Sequence, residues 1–165
     1  HSGNLSVRCG DDYWITPSGA CADTLEAHDL VRCPADGEPA NGASLDAPLH
    51  REVYLAAPDT GVVMHSHGPY SVAMTLGGKD FVPVDFEGQY YFSRIPVLNI
   101  DYANYLDEAP AAVAAGLRNN PAVVVGGHGV YVAAETLNLA YKWTCSFELS
   151  AKTAWLAAQA GQTPP

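Results

Sequence analysis

The chain has 165 residues, of which 48% are hydrophobic and 16% charged. That is enough for one domain with a real core, and it is not the composition of a disordered chain. Eighteen acidic residues against eight basic ones give a formal net charge of -10, so no basic patch exists to neutralise a nucleic-acid backbone. No apolar run approaches the ~18–20 residues of a membrane span. Cys9, Cys21, Cys33 and Cys145 show no CxxC spacing and are expected to be buried thiols of a cytoplasmic protein rather than a disulfide framework. The chain opens on His1-Ser2-Gly3-Asn4, without Met or a leader pattern, inside what reads as a structural motif. A preceding segment is therefore expected.

Two short strands, Leu5 to Arg8 and Tyr13 to Thr16, flank the turn sequence Gly10-Asp11-Asp12 and predict a hairpin. A helical turn is expected over Thr24 to His28, a strand over Asp29 to Cys33, and a loop over Pro34 to Gly42. Ser44 to Ala57 is the first clear helix: Leu45, Leu49, Val53 and Ala56 recur at helical spacing, and Ser44 or Asp46 stands where a cap belongs. Asp46 and His50, four apart, share a face of it. The hydrophobic run Val62 to His67 is a buried strand, and a short helix follows over Tyr70 to Leu76. Phe81 to Arg94 is aromatic-rich and has no clear period. Pro96 to Ile100, Ala122 to Val125 and Val130 to Ala134 read as strands, and Asp107 to Asn119 as an Ala-rich helix. Glu135 to Gln159 reads as one long helix with a wide apolar stripe from Leu137 to Ala158. Strands interleaved with about four helices, with hairpin signals at both ends, predict an α/β layered domain on a mixed, mostly antiparallel sheet. No glycine-rich phosphate loop is present, so no nucleotide reading is supported.

His65-Ser66-His67 ends the buried strand. In an extended strand, side chains at i and i+2 leave on one face, so the pair is either a two-toothed ligand for a divalent transition metal or two ordinary histidines on a half-exposed strand. Neutral imidazole suits zinc, iron, nickel and cobalt. A catalytic zinc takes three protein ligands and leaves one position open. The candidate third ligand is His128, flanked by Gly127 and Gly129, and Asp46 is the candidate carboxylate. His28 reads as a surface residue, and His50 as a partner of Asp46 or a plain helix-surface residue.

The order of Gly3-Asn4-Leu5-Ser6-Val7-Arg8, Ile15-Thr16-Pro17-Ser18-Gly19, Ser44-x-Asp46-xxx-His50, His65-Ser66-His67 and His128-Gly129 resembles the class II aldolase/adducin family over nearly the whole chain. The resemblance implies an α/β/α sandwich assembled as a homotetramer with active sites between neighbouring subunits. It implies a divalent metal, usually zinc with manganese, iron or cobalt as alternatives, on His65, His67 and His128, and an acid/base carboxylate at Asp46. It also implies that Asn4, Ser18, Gly19 and Ser44 surround a small-molecule substrate. The activity implied is cleavage of a C–C bond in a hydroxy-carbonyl, sugar-like compound through a metal-stabilised enediolate.

The chain departs from the family pattern in several places. Asp46 stands where the aldolases carry Glu. Asp46-Ala47-Pro48-Leu49-His50 instead echoes the epimerases, whose second acid/base Asp falls near Gln89, with Glu87 beside it as the candidate substitute. The aldolases' paired serines are Ser44-Leu45 here, and a Lys that follows their Thr-Pro-Ser-Gly motif is absent. The C-terminal tail that often supplies a Tyr is expected to be short or missing. These departures leave three alternatives: a decarboxylase of a hydroxy-carboxylic or aromatic acid on the same site, a sugar-phosphate epimerase or dehydratase, and a non-enzymatic adducin-like protein. The three retained histidines favour an enzyme.

Overall fold

A computed structural model describes residues 3–162; His1 lies outside that range. Seven strands form one sheet: β1 (Gly3–Cys9), β2 (Asp12–Ile15), β3 (Val31–Pro34), β4 (Val62–Ser66), β5 (Val97–Leu98), β6 (Ala122–Val125) and β7 (Gly129–Ala134). Their spatial order is β3-β2-β1-β4-β7-β6-β5. Every pairing is antiparallel except β5 with β6, so the sheet is mixed and mostly antiparallel, as the hairpin signals predict.

Five helices cover the sheet: α1 (Ala47–Ala56), α2 (Pro69–Thr75), α3 (Phe86–Tyr91), α4 (Tyr105–Leu117) and α5 (Leu137–Gln159). The pleat sorts alternate residues into two cores. Val63, Val123, Val125 and Tyr131 meet Leu49, Val53 and Tyr54 of α1 and Val113 and Leu117 of α4 on one face. Val62, Val124, Val130 and Val132 meet Phe147 and Ala151 of α5 on the other. The result is the expected three-layer α/β/α sandwich.

Several local expectations shift. The turn expected over Thr24 to His28 is two 3-10 turns, Ala22–Thr24 and Ala27–Asp29. The aromatic segment holds α3, whose N-terminus is capped by Asp85 accepting from the Gly88 N–H. α1 begins at Ala47, and Asp46 occupies the N-cap position without a side-chain capping bond, because its carboxylate is engaged elsewhere. Of the cysteines, Cys33 is buried as expected, whereas Cys9 and Cys21 are exposed and Cys145 is half-buried. No helix among the described residues is long and apolar enough to cross a membrane.

Candidate metal centre and its cleft

Three central strands set the floor of the site. Asn4 of β1 lies opposite His65 of β4, and His65 lies opposite Tyr131 of β7. Residues directly across a sheet share a face, so Asn4, His65 and Tyr131 form a row under α1 and α4. The His65 ring stacks on the Tyr131 ring, with centroids 4.1 Å apart and planes 5° from parallel. β4 ends at Ser66, so His67 sits just past the strand. The tight β6–β7 turn carries His128 beside it, with Gly127 at φ +72° and the His128 N–H donating to the Val125 carbonyl.

The ligand atoms of His65, His67 and His128 all lie within 4.8 Å of one another. His65 Nδ1 donates to the Val130 carbonyl at 3.0 Å, which leaves its Nε2 as the bare nitrogen. That Nε2 is buried and has no hydrogen-bond partner. A buried polar atom of this kind costs about 1–3 kcal/mol unless something binds it. A second contact holding the tautomer of a histidine is the usual arrangement behind a metal ligand. Burial pushes His65 down to about 3, and burial followed by the His67 charge lowers His128. Both imidazoles are thereby held neutral, the form that offers a lone pair. The donor set fits a divalent ion that prefers nitrogen ligands. Gly129 is required here: a Cβ would stand 2.6 Å from the Ser66 carbonyl oxygen and within 2.8 Å of both the His65 and His67 rings.

Asp46 stands next to this cluster, with Oδ2 at 4.0 Å from His65 Nε2. Asn4 Nδ2 donates to Asp46 Oδ2 at 2.8 Å, the Tyr105 hydroxyl to Oδ1 at 2.7 Å, and the Tyr131 hydroxyl to Oδ2 at 3.1 Å. Burial acts to raise the Asp46 carboxyl, but the bonds from Asn4 and Tyr105 outweigh it and the net shift is downward. Burial and the Asp46 charge raise both tyrosines, so they remain donors.

A cleft of about 950 Å³ opens over the cluster. Asn4, Ser18, Gly19 and Ser44 line it together with Asp46 and the three histidines. Leu45, 72% exposed, stands at its edge. Glu87 is not brought there: it sits on α3 and accepts from Ser146 Oγ at 3.0 Å. Neither reading of His50 holds as stated: it is fully buried rather than on the helix surface, and its ring turns to Asn4 Oδ1 at 2.6 Å and to Ser6 Oγ at 2.7 Å rather than to Asp46. Tyr105 and Tyr131, which flank Asp46, carry no motif. Their role becomes visible only once strand register and the packing of α4 are known.

Comparison with known proteins follows the same lines. The family model described as the class II aldolase and adducin N-terminal domain matches residues 1–155. A 5-methylthioribulose-1-phosphate/5-deoxyribulose-1-phosphate aldolase of Rhodospirillum rubrum is 29% identical, the match covering 96% of this chain and 72% of that protein. A methylthioribulose-1-phosphate dehydratase of Gluconacetobacter diazotrophicus is 34% identical, with 84% and 75% covered. The crystal structure of L-fuculose-1-phosphate aldolase from Thermus thermophilus superposes with a TM-score of 0.88 at 32% identity, over 96% of this chain and 84% of that one. Sequence order, sheet topology and a family match through residue 155 agree, and the chain belongs to the class II aldolase and adducin family.

Proposed function

We propose that this enzyme, a lyase of the class II aldolase type, cleaves a C–C bond of a phosphorylated hydroxy-carbonyl compound with a zinc ion held by His65, His67 and His128. One observation carries the reading: three imidazoles converge, and the fully buried ligand nitrogen of His65 lacks a partner beside an ionised carboxylate. A divalent ion bound there supplies a Lewis acid that draws electron density onto a carbonyl oxygen.

The residues of the chain do the remaining work. Asp46 takes the proton of the substrate hydroxyl next to the scissile bond. That C–O becomes a carbonyl, the C–C bond breaks, and its electron pair passes to the carbon beside the original carbonyl. Asp46 then returns the proton to that carbon, so the carboxylate ends as it began. Tyr105, Tyr131 and Asn4 hold the carboxylate in one orientation throughout. Asn4, Ser18 and Ser44 line the same cleft with polar groups, which suits an anionic end of the substrate.

A dehydratase reading uses the same base on a C–H next to the carbonyl, with loss of hydroxide from the following carbon. The 34% identity to a dehydratase favours it. A decarboxylase reading rests on exposed Leu45 at the cleft edge. Phe86, Tyr90, Leu149 and Leu156 are exposed on α3 and α5, which supports assembly into a homotetramer. Glu87 can act as a second acid/base group only in a neighbouring subunit's cleft. The test is metal analysis of the purified protein, with assays that separately count aldehyde, water-loss product and CO2 from 5-methylthioribulose 1-phosphate and L-fuculose 1-phosphate. About one divalent ion per chain and aldehyde release support the aldolase. A fully folded protein that binds no metal defeats the reading.

A further inference from the structure

Behind Asn4, a file of polar side chains enters the core beneath α1. The Tyr54 hydroxyl lies 2.8 Å from Ser6 Oγ, and Ser6 Oγ lies 2.7 Å from His50 Nδ1. His50 Nε2 lies 2.6 Å from Asn4 Oδ1, and Asn4 Nδ2 lies 2.8 Å from Asp46 Oδ2. Ser6 and His50 are 0% exposed and Tyr54 is 1% exposed, so these groups satisfy one another inside the chain. Ser6 is on this face because it lies two residues beyond Asn4 on β1.

Only one order of protons fits. An ionised carboxylate accepts and cannot donate, so Asn4 must turn its amino group to Asp46. Its carbonyl oxygen then faces His50, and His50 Nε2 must carry a proton. Burial holds the ring neutral, pushing it down to about 4, so Nδ1 is bare and accepts from Ser6. Ser6 in turn accepts from Tyr54. The reverse order would set two acceptors, Asn4 Oδ1 and the carboxylate, against each other at hydrogen-bond distance.

We propose that His50 is a positioning residue whose Nε2–H fixes the Asn4 carboxamide with its amino group toward Asp46 and the cleft. The proposal rests on the acid/base reading of Asp46. His50 touches no substrate; it selects which edge of Asn4 does. The edge presented is a donor edge, matched to an oxygen acceptor on the substrate. Proper aim of the Asp46 carboxylate depends on the same bond, and misplacement of a catalytic group by about 1 Å costs on the order of 100-fold in rate.

Two measurements test this. Long-range ¹H–¹⁵N NMR on the zinc-loaded protein at neutral pH should find His50 as the Nε2–H tautomer. An Nδ1–H ring or an imidazolium in the parent protein overturns the proposal whatever the substrate. In kinetics, His50→Leu should lower kcat about 100-fold with little change in KM and full metal content. His50→Gln, whose amide N–H falls near Nε2, should restore kcat to within about fivefold. A folded His50→Leu protein with undiminished kcat, or a Gln variant no better than Leu, overturns it. If His50→Leu does not fold, the tautomer measurement on the parent protein decides the proposal. A parent protein that turns over neither sugar phosphate counts against the aldolase reading alone, since the tautomer measurement still decides the role of His50.

Discussion

At the residue scale, the lone pair on His65 Nε2 is the centre of the site. Its ring is fixed on one side by the Val130 carbonyl and on a face by Tyr131, so the free nitrogen has one direction to point. His128→Ala and His67→Ala are expected to reduce bound metal to well below one ion per chain and to abolish turnover, while far-UV circular dichroism stays that of the parent. Both residues are only half-buried, so their loss leaves the core intact. Asp46→Asn should keep the metal and lower kcat by about 10²–10⁴-fold, the range for a lost general acid/base. Unchanged activity in that variant removes Asp46 from the mechanism. Tyr105→Phe leaves the shape of the cleft intact and deletes one of three donors to the carboxylate. Asp46 and the His-x-His pair were legible in the sequence because their spacing and order carry meaning. The tyrosines were not, since a Tyr at the start of a helix and a Tyr within a strand have no distinguishing local pattern.

At the element scale, two connections hold the histidines in place. The first is the β6–β7 turn, where Gly129→Ala drives a methyl into the Ser66 carbonyl and two histidine rings. The expected cost is about 1–3 kcal/mol, as for overpacking elsewhere, with weaker metal binding, measured by denaturant unfolding and metal titration. The second is the entry to α2, directly after His67. Glu148 of α5 accepts from the Tyr70 and Ser71 N–H groups at 2.9 Å each, fixing where the chain leaves β4. Glu148→Ala should cost about 1–3 kcal/mol, typical for charged hydrogen bonds, and lower the melting temperature. The helix and strand types around these junctions follow from periodicity and propensity. The Glu148 contact joins residues 78 positions apart and leaves no sequence pattern.

At the scale of the whole molecule, burying polar groups beneath α1 makes stability depend on pH. Burial lowers His50 from 6.5 to about 4. Between those values the unfolded chain binds a proton that the folded chain refuses, so stability is complete above about pH 6.5 and falls as pH drops toward 4. The limit for this one group is about 3 kcal/mol. His65, lowered in the same direction, adds to the slope in metal-free protein, and the lowered carboxyl of Asp46 extends the loss below the ordinary carboxylate range. Urea unfolding of metal-free protein at pH 7 and pH 5 should show the difference, and His50→Gln should flatten it.

The layered α/β class, the strands and the helices other than α3 in their order, and the family were readable from the linear chain, because hydrophobic period, turn residues and motif order are local or linear properties. The three histidines and Asp46 were candidates on the same grounds. Which residues meet was a matter of tertiary structure. Antiparallel pairing of β1, β4 and β7 set Asn4, His65 and Tyr131 in one row, and the packing of α1 and α4 on that face brought His50 and Tyr105 to it. The fold also kept Glu87 out of the chain's own cleft, because α3 packs on α5 beneath the opposite face of the sheet. Register and the choice of face arise from contacts between segments far apart in the chain, and no local pattern encodes them.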